Sequence, residues 1–596
     1  MRITKLFGII AATLVSIAPV GVSAQKSAAK RPARTVIARS DVRELPADQQ
    51  IIQASNRLTF GARPGDILNV RAIGLDQWID QQLHPDKIDD DALNSFLANY
   101  SALNQDQNSL LSQYAEQQRA RRQVRQQRAD STRAMTATDS IALRQQQQQQ
   151  FNLTRQVVTQ LQSSRVARAV ASNRQLQEVM TDFWENHFNI YAQKGGPEVY
   201  YLADFDQKVI RPNALGKFRD LLEAVAQSPA MLFYLDNAQS MADSNRPTLR
   251  APNQVPRVRV VPFGRGGLAT IMGTMREQQQ QERQQQRQRK RPGLNENYGR
   301  ELLELHTLGV DGGYTQQDVI NVARALTGWT VDDPRAGGGF VFRPAMHDAS
   351  PKLVLGHQLP GGRGIADGEE VLDIVARHPS TARFIARKLV RHLVSDSVPT
   401  SLVDRAAAAF TRTDGDIRQV LATIVTSPEF YSRAAYRAKV KTPFELVVST
   451  MRAMDQLPDT TPRTAQLPSR LGQPVFGRLT PDGWPDDAQE WINSGAILNR
   501  INFGTIAANG GLPGVTIDRW PPAASLRTAP FGEQVDGVIG ELLGGEVSPE
   551  TRSILLSGVN PLAGAMPASN TADANAPRRL KDLIGLTLGA PEFQRR

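Results

Sequence analysis

Apolar residues recur at three- and four-residue intervals over much of this 596-residue chain, the spacing that brings one face of an α-helix onto a core. It predicts helices over 47–60, 74–84, 164–190, 214–226, 296–308, 316–328, 368–377, 380–394, 416–426, 442–454 and 488–503. Some ends are legible: Thr315-Gln-Gln-Asp318 reads as an N-cap with an acid three residues on, and Gly328 as a stop. Ser228-Pro229, Ser427-Pro428 and Ala590-Pro591 each follow an apolar helix and read as corners that start the next one. The main β signal is Phe340-Val-Phe-Arg343 against Lys352-Leu-Val-Leu355, read as one small hairpin whose loop carries Met346, His347 and Asp348. The expected fold class is mainly α: a large multi-helical single body with one small β-hairpin and low-complexity Gln/Arg-rich insertions.

Such a body must hold together by packing alone. There is no cysteine, which excludes disulfides, thiolate metal sites, iron–sulfur clusters and cysteine nucleophiles. The length is ample for a buried core. No apolar run reaches 18 residues, so a polytopic membrane protein is excluded.

The N-terminus reads as an address. Arg2 and Lys5 precede the mostly apolar Leu6–Val20, and Val22-Ser23-Ala24 supplies small residues for cleavage after Ala24. This is the pattern of a secretory signal peptide, and it predicts a periplasmic or secreted protein with no transmembrane helix after cleavage. The expected organisation is a signal peptide over 1–24 and a disordered basic tail over 25–47. The helical body follows over 48–596, interrupted by insertions at about 101–163 and 240–292.

The net charge of +11 is unevenly spread: segments 1–45, 101–150 and 276–291 carry +6, +3 and +4, leaving the remainder slightly acidic. The basic character therefore belongs to a tail and two Gln/Arg-rich stretches. A nucleic-acid reader places its basic patch on a folded surface interleaved with aromatics, so no nucleic acid is expected as a partner.

Several blocks stand out in order along the chain. They are Asn56-Arg-Leu-Thr-Phe-Gly61, Phe183-Trp-Glu-Asn-His-Phe188, Asn295-Glu-Asn-Tyr-Gly-Arg-Glu-Leu-Leu-Glu-Leu-His-Thr-Leu-Gly309 and Ala323-Arg-Ala-Leu-Thr-Gly-Trp329. His347-Asp348, Gly483-Trp484-Pro485, Trp491-Ile492-Asn493, Arg500-Ile-Asn-Phe503 and Pro591-Glu-Phe-Gln594 follow. In order and kind these resemble the secreted bacterial domain-of-unknown-function family 1800, over roughly 48–596. Gly299 departs from the resemblance, which more often has Ala there. The resemblance implies an extracytoplasmic, mainly helical protein, often encoded beside a secreted sulfatase-like or phosphatase-like protein, and it brings no established reaction.

The same blocks hold the candidate chemistry. On a helix over 296–308, Asn297, Arg300, Glu301 and Glu304 share one stripe beside an apolar one formed by Tyr298, Leu302 and Leu305. Two readings stay open. The stripe is a salt-bridged outer face, with Arg300 between Glu296 and Glu304, or Glu301 and Glu304 are inward carboxylates that hold a divalent cation or move protons. His187, His306 and His347 fall within the blocks, and imidazole is the usual metal or proton-transfer side chain; each equally suits a buried histidine bonded to a carbonyl. Trp184, Trp329, Trp484 and Trp491 suit either a sugar-binding cleft or the core.

Glu301, Glu304, His347 and Asp348 are thus the candidate catalytic residues, with Asn297, Arg300, His187, Trp184 and Trp329 as candidate binding residues. HExxH, GxSxG and phosphate-loop motifs are absent. The leading expectation is accordingly an accessory or binding component that engages another extracytoplasmic protein, for instance a sulfatase-like one, or a polymer. The alternative is a cation-dependent hydrolase built on the carboxylates and histidines.

Overall fold

Two hydrophobic clusters share one long helix. In a computed structural model that describes residues 43–130, 137–249, 293–333, 338–557 and 580–596, helix Ala137–Ala171 buries Val157 and Leu161 in the first cluster. Its last turns bury Val166, Ala169 and Val170 in the second. The first cluster is built by helices Leu75–Leu83, Gln175–His187, Phe218–Ala226, Gln316–Ala325, Ala366–Ala376, Pro379–Leu393 and Ile417–Val425. The second is built by Pro443–Ala453, Ser494–Ala508, Phe531–Leu543 and Leu580–Gly589. The described residues fall within one compact unit, and the fold is mainly α.

Helix ends follow their local chemistry. Thr315 and Asp318 form a reciprocal capping box, and Ser228 caps Pro229–Tyr234 through the Met231 N–H. The segment 164–190, expected as one helix, breaks at Ser172-Asn173-Arg174. There Asp90 accepts from the Asn173 N–H at 2.7 Å, drawing that donor out of the helical ladder, and from Ser172 Oγ at 2.6 Å. The segment 488–503 likewise divides into Ala488–Trp491 and Ser494–Ala508, because Asn493 Oδ1 accepts from the Ala496 N–H at 2.9 Å and starts a new helix.

The expected single hairpin is replaced by two. Strand β1 (Trp329–Val331) pairs antiparallel with β2 (Phe340–Phe342), and β3 (Lys352–Val354) with β4 (His357–Leu359). Phe340–Phe342 therefore does not pair with Lys352–Val354. Leu355 and Gly356 both adopt left-handed backbone, with φ of 47° and 81°, and a two-residue turn of that kind folds the chain straight back on itself. Gly328 turns the chain into β1, and its carbonyl accepts from the Arg343 N–H at 2.8 Å.

The Gln/Arg-rich stretch over 101–163 is helical at Gln107–Asp130 and again from Ala137 onward, and Leu110 and Leu111 are buried where it meets the body. Of the insertion at 240–292, Ser240 is buried and Thr248 bridges to Asp348, while 250–292 lies outside the described residues. The expected signal peptide and most of the basic tail also lie outside them. Among the described residues, no helix is long and apolar enough to cross a membrane.

Candidate functional site

The helix Gln175–His187 ends on the Phe183-Trp-Glu-Asn-His-Phe188 block, and its last residues form one wall of a cleft. Helix Pro379–Leu393 supplies a second wall through Phe384, Arg387, Lys388, Arg391 and His392. The loop from Gln473 to Asp486 forms the third, and the cavity between them is about 280 Å³.

His187 is oriented by two contacts. Its Nε2 lies 3.0 Å from the His306 carbonyl oxygen; a carbonyl can only accept, so Nε2 carries the hydrogen. Lys388 Nζ then donates to Nδ1 at 2.8 Å. The His306 carbonyl is free for this because the helix Asn297–Glu301 widens into a π-helix over Leu302–Thr307 and stops, leaving terminal carbonyls without intrahelical partners. Burial, reinforced by Lys388 and His306, holds His187 neutral, well below the usual imidazole range. Burial also pulls Lys388 down to about 8; Asp486 and Asp482 oppose that and Arg391 adds to it.

The loop wall is pinned to the His187 helix. Asn186 Oδ1 accepts from the Trp484 N–H at 2.6 Å while its Nδ2 donates to the Trp484 carbonyl at 2.8 Å. Asn189 donates to the carbonyls of Arg478 and Thr480, and His392 Nδ1 meets Asp486 Oδ2 at 3.1 Å.

Ion pairing around the cleft is uneven. Every lining acid has a cation within reach, with Glu185 and Asp182 sharing one. Glu185 and Asp182 meet Arg165 at 2.8 and 3.3 Å, and Glu445 meets Arg596 at 3.0 Å. Asp482 meets Arg478 at 3.0 Å, and Asp486 meets Lys439 at 2.6 Å. Arg387, Lys388 and Arg391 form no ion pair among the described residues, and Arg391 Nε is buried without a hydrogen bond. The helix that carries them has no acidic residue from Pro379 to Leu393. Three unpaired cations on one wall, beside the aromatic faces of Phe384 and Trp484, suit an anion.

Of the candidate catalytic and binding residues, His187 lines this cleft and the others do not; of the four tryptophans singled out for a sugar-binding cleft, Trp484 does. Trp184 is core, its Nε1 donating to the Ala214 carbonyl. Trp329 is buried in β1, edge-on to Phe340. Asn297 is exposed and donates to the Leu235 carbonyl, while Arg300 bonds Gln316 and pairs with Glu296 at 3.6 Å. Glu304 accepts from the Tyr314 hydroxyl at 3.4 Å. Glu301 is half-buried, its carboxyl raised by burial, by Glu304 and by Asp482 against the opposing Arg300.

His347 and Asp348 are fully buried in a different place. His347 Nδ1 lies 2.8 Å from the Thr327 carbonyl oxygen and Nε2 3.2 Å from Asp367 Oδ2, and Asp348 accepts from Arg324 Nε at 2.7 Å. They face protein, joined to Lys352, whose Nζ donates to Asp367 Oδ2 at 2.6 Å. Gly299 also has a structural reason: a Cβ there would lie 2.9 Å from Ala323 N and Val319 O of the adjoining helix. Among the described residues, no group of three or more His, Asp or Glu side chains is placed to hold a metal ion.

Sequence reasoning passed over Arg387, Lys388 and Arg391. A signal was present: a strongly amphipathic fifteen-residue helix whose charged residues are all basic.

Residues 53–595 match the family model described as "Protein of unknown function (DUF1800)", and the chain belongs to that family. No curated protein and no solved structure matches it.

Proposed function

We propose that this member of a family of unknown function is an exported binding component whose cleft takes an anionic unit of an extracytoplasmic polymer. The observation that carries the reading is the uneven pairing: every acid lining the cleft is paired, and Arg387, Lys388 and Arg391 are not. Lys388 and Arg391 are partly buried; unpaired, partly desolvated cations are costly, and an anion brought between them offsets that cost. Phe384 and Trp484 add flat apolar faces of the kind that meet sugar rings. Export to the periplasm or beyond rests on the charged start, apolar run and small-residue cleavage pattern of residues 1–24.

The test is binding of the purified full chain to carboxylated, sulfated and phosphorylated polysaccharides, measured by calorimetry beside their neutral counterparts. The expected result is binding of anionic polymers only, weakened by salt and by Arg387→Ala with Arg391→Ala. Equal binding of neutral polymers, or an unchanged affinity in the double variant, would remove the cleft from the account. Recovery of a specific protein in place of a polymer would redirect it to a protein partner.

A further inference from the structure

We infer that Lys388 is the reactive amine of the cleft, held by His187 to add to the carbonyl carbon of a small anionic aldehyde, such as the open-chain reducing end of a sugar acid. The ligand's charge rests on the anion-binding reading above; the amine itself does not.

The geometry separates Lys388 from an ordinary surface lysine. It is half-buried in the wall of a cleft open to solvent, forms no ion pair among the described residues, and its Nζ has one hydrogen bond, to a ring nitrogen 2.8 Å away. His187 Nδ1 offers that nitrogen a lone pair, because Nε2–H is already committed to the His306 carbonyl. His187 is therefore a positioning residue. It cannot relieve Lys388 of its proton without becoming a buried cation beside another, and burial opposes that. The groups facing the amine are Asp482 and Asp486 from the loop, Arg391 from its own helix, and His187 with His306 behind it. Burial outweighs the two acids, so a large share of the amine is neutral and nucleophilic at mildly alkaline pH.

The chemistry balances with water alone. The amine lone pair forms a C–N bond to the carbonyl carbon. The carbonyl oxygen then leaves as water, carrying one amine hydrogen and one proton from solvent. The product is an iminium that keeps a single N–H, and one acceptor at His187 Nδ1 is what such a group needs. Arg391, one turn from Lys388 on the same helix, and Arg387 beside it place positive charge where the ligand's anionic group would lie.

The experiment is reductive trapping on the full chain with cyanoborohydride, using glyoxylate as the anionic aldehyde and glycolaldehyde as its neutral counterpart of similar size. Peptide mass spectrometry follows Lys388 against Lys208, whose side chain is 64% exposed. Lys388 should label on the order of tenfold faster than Lys208 near neutral pH, its own rate levelling off above about 8. Arg391→Ala should abolish a preference for glyoxylate, and His187→Phe should slow labelling of Lys388 by both probes. Labelling of Lys388 no faster than Lys208 would overturn the inference. Fast labelling with no preference for glyoxylate would keep the amine and discard the anion-binding reading.

Discussion

Asn186 and Trp484, almost three hundred residues apart in sequence, meet as a two-point amide pair, with the Asn186 side chain accepting from the Trp484 N–H and donating to its carbonyl. This pair sets the width of the cleft. It depends on the residue before it, because Gly483 has φ of 77° and a Cβ there would lie 2.2 Å from the Asn186 carbonyl oxygen.

Gly483→Ala should therefore destabilise the fold by about 2 kcal/mol or more, since the left-handed backbone and the clash act together. Urea unfolding checks the cost. An unchanged midpoint would mean that the loop over 473–486 sits differently from the position described.

A second test concerns the buried group around Asp367. Burial raises that carboxyl, but hydrogen bonds from His347 and Lys352 outweigh burial and hold it below the usual range. Its stabilising contribution is present above the unfolded pKa and is lost as pH falls through the folded one. Asp367→Asn leaves Lys352 buried without its carboxylate and should cost about 3–5 kcal/mol. Adding Lys352→Met should recover part of that loss; a double variant less stable than the single one would show that the pair is not the source.

Glu301 gives the opposite sign. Burial, Glu304 and Asp482 all disfavour its charge, with Arg300 alone opposing. Glu301→Gln should raise the melting temperature slightly, by less than about 1 kcal/mol in stability for a partly exposed group. A lower melting temperature would show that the Arg300 contact dominates.

Lys441 predicts a pH trend. It is 6% exposed, with Nζ 4.0 Å from the centre of the Phe593 ring. Burial lowers it to about 7; Glu445 opposes, and Arg437, Arg596 and Arg500 reinforce the fall. Between about 7 and the unfolded value near 10.4, the unfolded chain holds a proton that the folded chain lacks, so stability from this group rises with pH across that window. Below it, the cost of burying the ammonium is present in full. Lys441→Met should therefore stabilise most at pH 7 and below, with the gain shrinking toward pH 10. Thermal melts from pH 6 to 10 measure it, and a gain that is constant with pH would contradict the assignment.

Much of this protein is local in origin and was readable from the chain. The helical spacing, the Thr315–Asp318 capping box, the corner at Ser228-Pro229 and the family blocks all depend on residues within a few positions of one another. So does the dense cluster that contains His187. The rest required distant segments to meet. Phe340–Phe342 could pair with either flanking strand, and the turn at Leu355-Gly356 together with the start at Gly328 decided it. His347 and Asp348 carry catalytic side chains in sequence, yet Thr327, Arg324 and Asp367 consume them in a buried network. Lys388 looks like one more surface cation until folding places it 2.8 Å from His187, two hundred and one residues away. Burial and pairing set what an ionisable group can do, and both belong to the tertiary structure, because the water removed and the partners supplied come from segments far along the chain.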